Sequence, residues 1–153
     1  MVKRLGSHQA AVKALAFNPV KKNILVSGSG TADRKLRIFD TKTFSQKYSI
    51  DSGSQVCNLT FDNEGENLLS THGYSLNQII VWDPKTEDFD GIEKRDVLIA
   101  HKLRVLYLAN SPCGKYVVTG AGDETLRIWD VFQGNRKRSK KTSVLNRNFV
   151  SLR

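Results

Sequence analysis

Asp123 and Glu124 form an acidic pair behind two small glycines in the run "GAGDETLRIWDVF" (Gly120 to Phe132). With His101 and Thr119 upstream, such a set could serve acid–base chemistry, a phosphate loop or the internal support of a turn. A second set, His8, Ser27 and Asp33, has the residue types of a nucleophile, its base and an orienting acid. His72 stands alone in "STHGYS", without partners at metal-ligand spacing. The glycine-rich "GSGTADRK" lacks the Gly-Lys-Ser/Thr ending that a phosphate-binding loop needs to hold phosphate and magnesium. Cys57 and Cys113 are far apart, with no paired spacing and no flanking histidines; they read as one core thiol and one loop thiol of a reducing compartment.

The elements that carry these residues are repeats. "HQAAVKALAFNP" from His8, "SGSQVCNLTFDN" from Ser52 and "HKLRVLYLANSP" from His101 align, with Val12, Val56 and Val105 in register and Leu15, Leu59 and Leu108 three residues on. Each leads to a second apolar run ("NILVSGSG", "NLLSTHG", "YVVTGAG") and a third ("LRIFD", "IIVWD", "LRIWD"). The third runs close on Asp40, Asp83 and Asp130, spaced 43 and 47 residues apart. Short runs rich in Val, Ile and aromatics, broken by Gly, Asn, Pro and Asp, read as strands. With a fourth run in "FSQKYSI" (Phe44 to Ile50), the unit is a four-stranded sheet. A period in the forties with Trp-Asp closing the third strand predicts an all-β fold, a partial WD-repeat β-propeller. The expected organisation is three four-stranded blades within residues 1–134 (about 8–50, 51–100 and 101–134), then a basic tail over 135–153.

This architecture gives the candidate chemistry a structural reading. A Trp129 buried between blades needs an acceptor for its indole N–H, and Thr119 on the middle strand can supply it. His101 can bridge Thr119 and Asp123, and Asp123 can accept turn N–H groups. The first repeat carries the same set as His8, Ser27 and Asp33, with Phe39 in place of Trp. The second has Ser52 and Leu76 where His and Asp are expected, so its network should be incomplete and its blade the least rigid. No catalytic, metal or cofactor site is expected.

The chain of 153 residues is 39% apolar and 25% charged, enough to bury a core, and no apolar run reaches the roughly 20 residues of a membrane-spanning helix. The net charge of +9 is local: residues 135–153 hold seven basic and no acidic residues, leaving 17 basic against 15 acidic in the body. Such a tail suits nuclear import, an acidic partner or nucleic-acid contact.

The matching stretches "AVKALAFNP", "SGSGTADRKLRIFD", "GSQVCNL", "STHGYSLNQIIVWD", "RVLYLANSP", "TGAGDETLRIWDVF" and "SVLNRNFVSLR" go beyond a WD skeleton. The chain resembles the last three blades of the Fizzy and fizzy-related family of activators of the anaphase-promoting complex. The resemblance implies an adaptor rather than an enzyme, one that brings short degradation motifs of substrates to a ubiquitin ligase in mitosis or meiosis, in nucleus and cytoplasm. It implies that Glu124 receives the arginine of a destruction box, and that Gln55 and Arg104 line the pocket for a Lys-Glu-Asn motif. It implies that Leu152 and Arg153 stand for an Ile-Arg tail that docks on a helical-repeat subunit of the complex. A WD-repeat scaffold with another partner and a basic-tailed nucleic-acid binder stay open as alternatives.

Overall fold

The computed structural model describes residues 3–132 and the backbone of residues 151–152. Among them there is no helix. Eleven strands follow one another as β1 (Val12–Phe17), β2 (Ile24–Ser29), β3 (Lys35–Asp40), β4 (Ser45–Asp51), β5 (Val56–Phe61), β6 (Leu68–His72), β7 (Gln78–Pro84), β8 (Ile92–Ile99), β9 (Val105–Asn110), β10 (Tyr116–Ala121) and β11 (Leu126–Asp130). They form three antiparallel meanders, β1-β2-β3-β4, β5-β6-β7-β8 and β9-β10-β11. The third gains its fourth strand from β12 (Ser151–Leu152), whose Leu152 pairs with Leu126. The blade expected to end at residue 134 is therefore completed from within the segment read as a tail; its two paired residues carry no periodic signal from which a strand could be read.

Burial on both sides explains why the central runs lack alternation. Period-2 geometry sends neighbouring side chains to opposite faces. Ile80 and Trp82 face the first blade, while Ile79 and Val81 face the third, and all four are fully or nearly fully buried. Two apolar cores result, one in each gap. The first joins Val26, Leu36 and Ile38 to Leu59, Phe61, Leu68 and Trp82. The second joins Leu69, Ile79 and Val81 to Val105, Val117 and Trp129.

Side chains also sew each blade to the next backbone. Asn18 Nδ2 donates to Gly65 O at 2.8 Å, Thr71 Oγ1 to Val105 O at 2.9 Å, and Arg95 Nη2 to Val131 O at 2.9 Å. Gly65 has φ +67°, and a Cβ there would collide with Asn18 Oδ1, so the turn under this bond admits only glycine without rearrangement.

A loop also enters the first gap. Residues 85–91 fold back on themselves through Lys85 N–H to Gly91 O (2.9 Å) and Phe89 N–H to Thr86 O (3.2 Å). Phe89, held at φ +57°, is driven fully into the core and meets Phe61 edge to face at 5.7 Å. Lys47 clamps the loop from the first blade, with Nζ 2.6 Å from Asp88 O and 2.8 Å from Asp90 Oδ1.

The outward faces of the end blades present the same positions uncovered. Phe17 is the equivalent of Phe61, each pairing with the matching residue of its middle strand; Phe17 is 62% exposed and Phe61 5%. On the other end Leu126 corresponds to Leu36, and they are 57% and 0% exposed.

Two outcomes follow from this packing. Phe89→Ala should lower stability by about 3–5 kcal/mol, read from urea midpoints. Replacing Phe17 and Leu126 by serine should leave the midpoint within about 0.5 kcal/mol, as for exposed sites. The same double variant should reduce self-association in light scattering, because exposed apolar faces of this kind drive contact.

Candidate functional site

The turns at one end of the strands carry the candidate residues, and each blade fixes its turn with a buried hydroxyl. In the third blade Trp129 Nε1 donates to Thr119 Oγ1 at 2.7 Å. Thr119 Oγ1 lies 2.9 Å from His101 Nε2, and His101 Nδ1 lies 3.0 Å from Asp123 Oδ2. Once Thr119 has accepted from tryptophan, its proton is free to go to Nε2, which leaves Nδ1 as the donor to the carboxylate. Asp123 also accepts from Lys102 N–H (2.9 Å), Thr125 N–H (3.2 Å) and Thr125 Oγ1 (2.7 Å). Burial opposes the charge on Asp123, but the Thr125 hydroxyl, the Lys102 N–H and His101 outweigh it and hold the carboxyl well below the usual carboxylate range. Burial lowers the pKa of His101, with Asp123 opposing, so the ring is neutral at pH 7.

The first blade uses the same positions. His8 Nε2 lies 2.6 Å from Ser27 Oγ and His8 Nδ1 lies 2.8 Å from Asp33 Oδ2. Without a tryptophan here, Arg37 adds a bidentate pair to Asp33, with Nη2 donating to Oδ1 at 3.1 Å and Nη1 to Oδ2. Its hydrogen bond, against the cost of burial and with help from His8, holds Asp33 well below the carboxylate range. The serine–histidine–aspartate line has the spacing of a nucleophile system, but Ser27 is buried at the position Thr119 occupies in the third blade.

The expected gap in the second blade is filled in part, its histidine coming from an unexpected place and its aspartate having no replacement. Trp82 Nε1 donates to Ser70 Oγ at 2.7 Å, and Ser70 Oγ lies 2.7 Å from His72 Nε2. His72 sits two residues along the same strand, on the same face as Ser70. It is fully buried, and burial lowers its pKa to about 4. Ser52 instead donates to Arg34 O at 2.7 Å, and Leu76 stays exposed on its loop. The blade expected to be least rigid thus links its tryptophan, serine and histidine and is covered on both faces, while the carboxylate end stays open as expected: His72 Nδ1 is buried with no hydrogen-bond partner among the described residues.

Around these supports the candidate contacts fall into two groups. Gln55 and Arg104 come together: a Cβ on Gly73 would lie 3.0 Å from Gln55 Oε1 and 3.2 Å from Arg104 Cδ, so the buried glycine makes room for both side chains. Arg104 is exposed, has no carboxylate partner among the described residues, and stacks on the Tyr74 ring at 5.1 Å. Glu124 is exposed on the β10–β11 turn at φ +64°, beside the buried support of Asp123. Lys102 N–H on Asp123 locks this turn to the segment that carries Arg104. Leu152 takes part in β12 through its backbone, and Arg153 lies outside the described residues. Cys57 is buried and Cys113 exposed.

A profile of the "WD domain, G-beta repeat" family matches residues 1–40 and 93–130. The chain belongs to the WD-repeat family. Within it, this WD-repeat chain is similar to fizzy-related proteins. It is 54% identical over 129 residues to a "B-type cell cycle switch protein ccs52B" of Medicago truncatula, covering 84% of this chain and 26% of that one. It is 50% identical to the "Protein FIZZY-RELATED 3" of Arabidopsis thaliana, with the same coverage. It is 48% identical over 137 residues to an "Anaphase-promoting complex subunit cdh1" of Dictyostelium discoideum, covering 90% of this chain and 18% of that one. A chain in a "Crystal Structure of Mitotic Checkpoint Complex" superposes with a TM-score of 0.78 at 36% identity, covering 83% of this chain and 38% of that one. The chain thus spans about a quarter or less of the length of these curated relatives.

The networks set the pH dependence of stability. His72 and His101 have folded pKa values below the ordinary histidine value, so their contribution is complete above about 6.5 and is lost as pH falls. Asp33 and Asp123 are depressed likewise, so theirs is complete above about 4 and is lost below it. Urea midpoints should fall in two stages on acidification. Asp123→Asn should cost about 1–3 kcal/mol at pH 7 and flatten the lower stage.

Proposed function

We propose that this chain supplies part of a substrate-recruiting activator of the anaphase-promoting ubiquitin ligase, binding degradation motifs in cell-cycle control rather than catalysing a reaction. The observation that carries this is the convergence over Gly73, at the turn end of adjoining blades, of Gln55 and of Arg104, which has no carboxylate partner among the described residues. The guanidinium suits the glutamate of a Lys-Glu-Asn motif, and the Gln55 amide offers a donor and an acceptor to a polar side chain. Glu124, solvated on a turn held from beneath, suits the arginine of a destruction box. The names of the relatives, an anaphase-promoting complex subunit among them, support the same assignment.

In this reading Leu152 and Arg153 dock on a helical-repeat subunit of the complex. Leu152 pairs with β11 through a two-residue strand, which opens as the tail docks. The activator works in the nucleus and the cytoplasm.

The test is peptide capture. Arg104→Glu should cut affinity for a Lys-Glu-Asn peptide at least tenfold, since a bond to a charged group is worth about 1.5–3 kcal/mol. Glu124→Arg should do the same for a destruction-box peptide, with the urea midpoints of both variants within about 0.5 kcal/mol of the parent. Unchanged capture by both would remove the assignment.

A further inference from the structure

An arginine that must meet a carboxylate begins as a long, exposed and rotamer-rich side chain, and ordering it on binding weakens the complex. Arg104 is already partly ordered. Its guanidinium stacks on the Tyr74 ring, and its stem passes over Gly73 within the space a Cβ would need.

The loop that carries Tyr74 is fixed at both ends. Gly73 N–H donates to Gln55 O at 2.9 Å, which ties the start of the loop to the other pocket residue. Asn77 N–H closes the loop on Gly73 O at 2.9 Å, and Asn77 Nδ2 donates to Lys102 O at 3.0 Å, which ties its end to the segment leading to Arg104. Between these anchors Tyr74 is 53% exposed and belongs to neither apolar core. It spends an aromatic ring at the surface, and the cation it meets there is Arg104.

We infer that Tyr74 is a positioning residue for Arg104: by stacking, it aims the guanidinium at the carboxylate of a bound peptide. The inference rests on the peptide reading above and adds a residue that the reading does not include. A ring is required and its hydroxyl is not, because the attraction is between the cation and the ring face.

The experiment is a set of anisotropy titrations on the full chain with a labelled Lys-Glu-Asn peptide and its Lys-Gln-Asn counterpart. Tyr74→Leu should weaken the glutamate peptide about two- to fivefold, the range of an exposed cation–π contact, and leave the glutamine peptide unchanged. Tyr74→Phe should match the parent, and in an Arg104→Gln background Tyr74→Leu should have no effect. Equal weakening of both peptides, an effect that persists without Arg104, or no effect of Tyr74→Leu on the glutamate peptide overturns the inference. A parent chain that cannot tell the two peptides apart defeats the peptide reading instead. The stacking is then judged in the free protein: the Arg104 Hδ protons should be shifted upfield by the ring in the parent and in Tyr74→Phe, and return to ordinary positions in Tyr74→Leu. Ordinary positions in the parent would overturn the positioning role outright.

Discussion

A hydroxyl buried on the middle strand of each blade is the constraint on which the rest of the molecule depends. Ser27, Ser70 and Thr119 occupy matching positions, and each meets an imidazole nitrogen. In two blades the same oxygen also takes a tryptophan N–H from the third strand. An indole fills the gap between blades as few side chains can, but its N–H must be satisfied there. One oxygen that accepts from the indole and donates to a histidine solves both problems, and it fixes the third strand against the second.

That arrangement separates support from contact within a few residues. Asp123 collects a ring N–H, two backbone N–H groups and a hydroxyl, and has no capacity left for a partner. Glu124 follows it in a left-handed conformation that throws its side chain outward. Arg34 and Asn77 stand at the equivalent positions of the other blades with φ +54° and +46°. The turn imposes this conformation on whatever residue is there, so the side chain is free to vary with the task. The Lys102 N–H on Asp123 carries the same rigidity to the segment that presents Arg104.

The strands, their grouping in blades and the linkage of His101, Thr119, Asp123 and Trp129 were legible because the repeats align and each polar type has one sensible partner. The second blade hid its histidine because the alignment looks for it before the first strand. Its true signal was local: Ser70 and His72 two apart on a strand share a face, beside a tryptophan that needs an acceptor. Phe89 was invisible because a loop residue enters the core only when its backbone is turned back, which no periodicity records. Arg37 carries no signal of its own in "LRIFD"; its bond to Asp33 depends on a turn and a strand brought together by the fold. Tyr74 could not be read at all, since its meaning lies in Arg104, thirty residues away along the chain.

The most direct measurement of the central claim is hydrogen exchange at the indole N–H protons of Trp82 and Trp129, followed by NMR. If the buried hydroxyls hold the blades together, both protons exchange only when the whole chain unfolds, with a free energy equal to that from urea denaturation. Exchange of either proton through a local opening far below that free energy, while the backbone amides of its middle strand stay protected, would contradict the account.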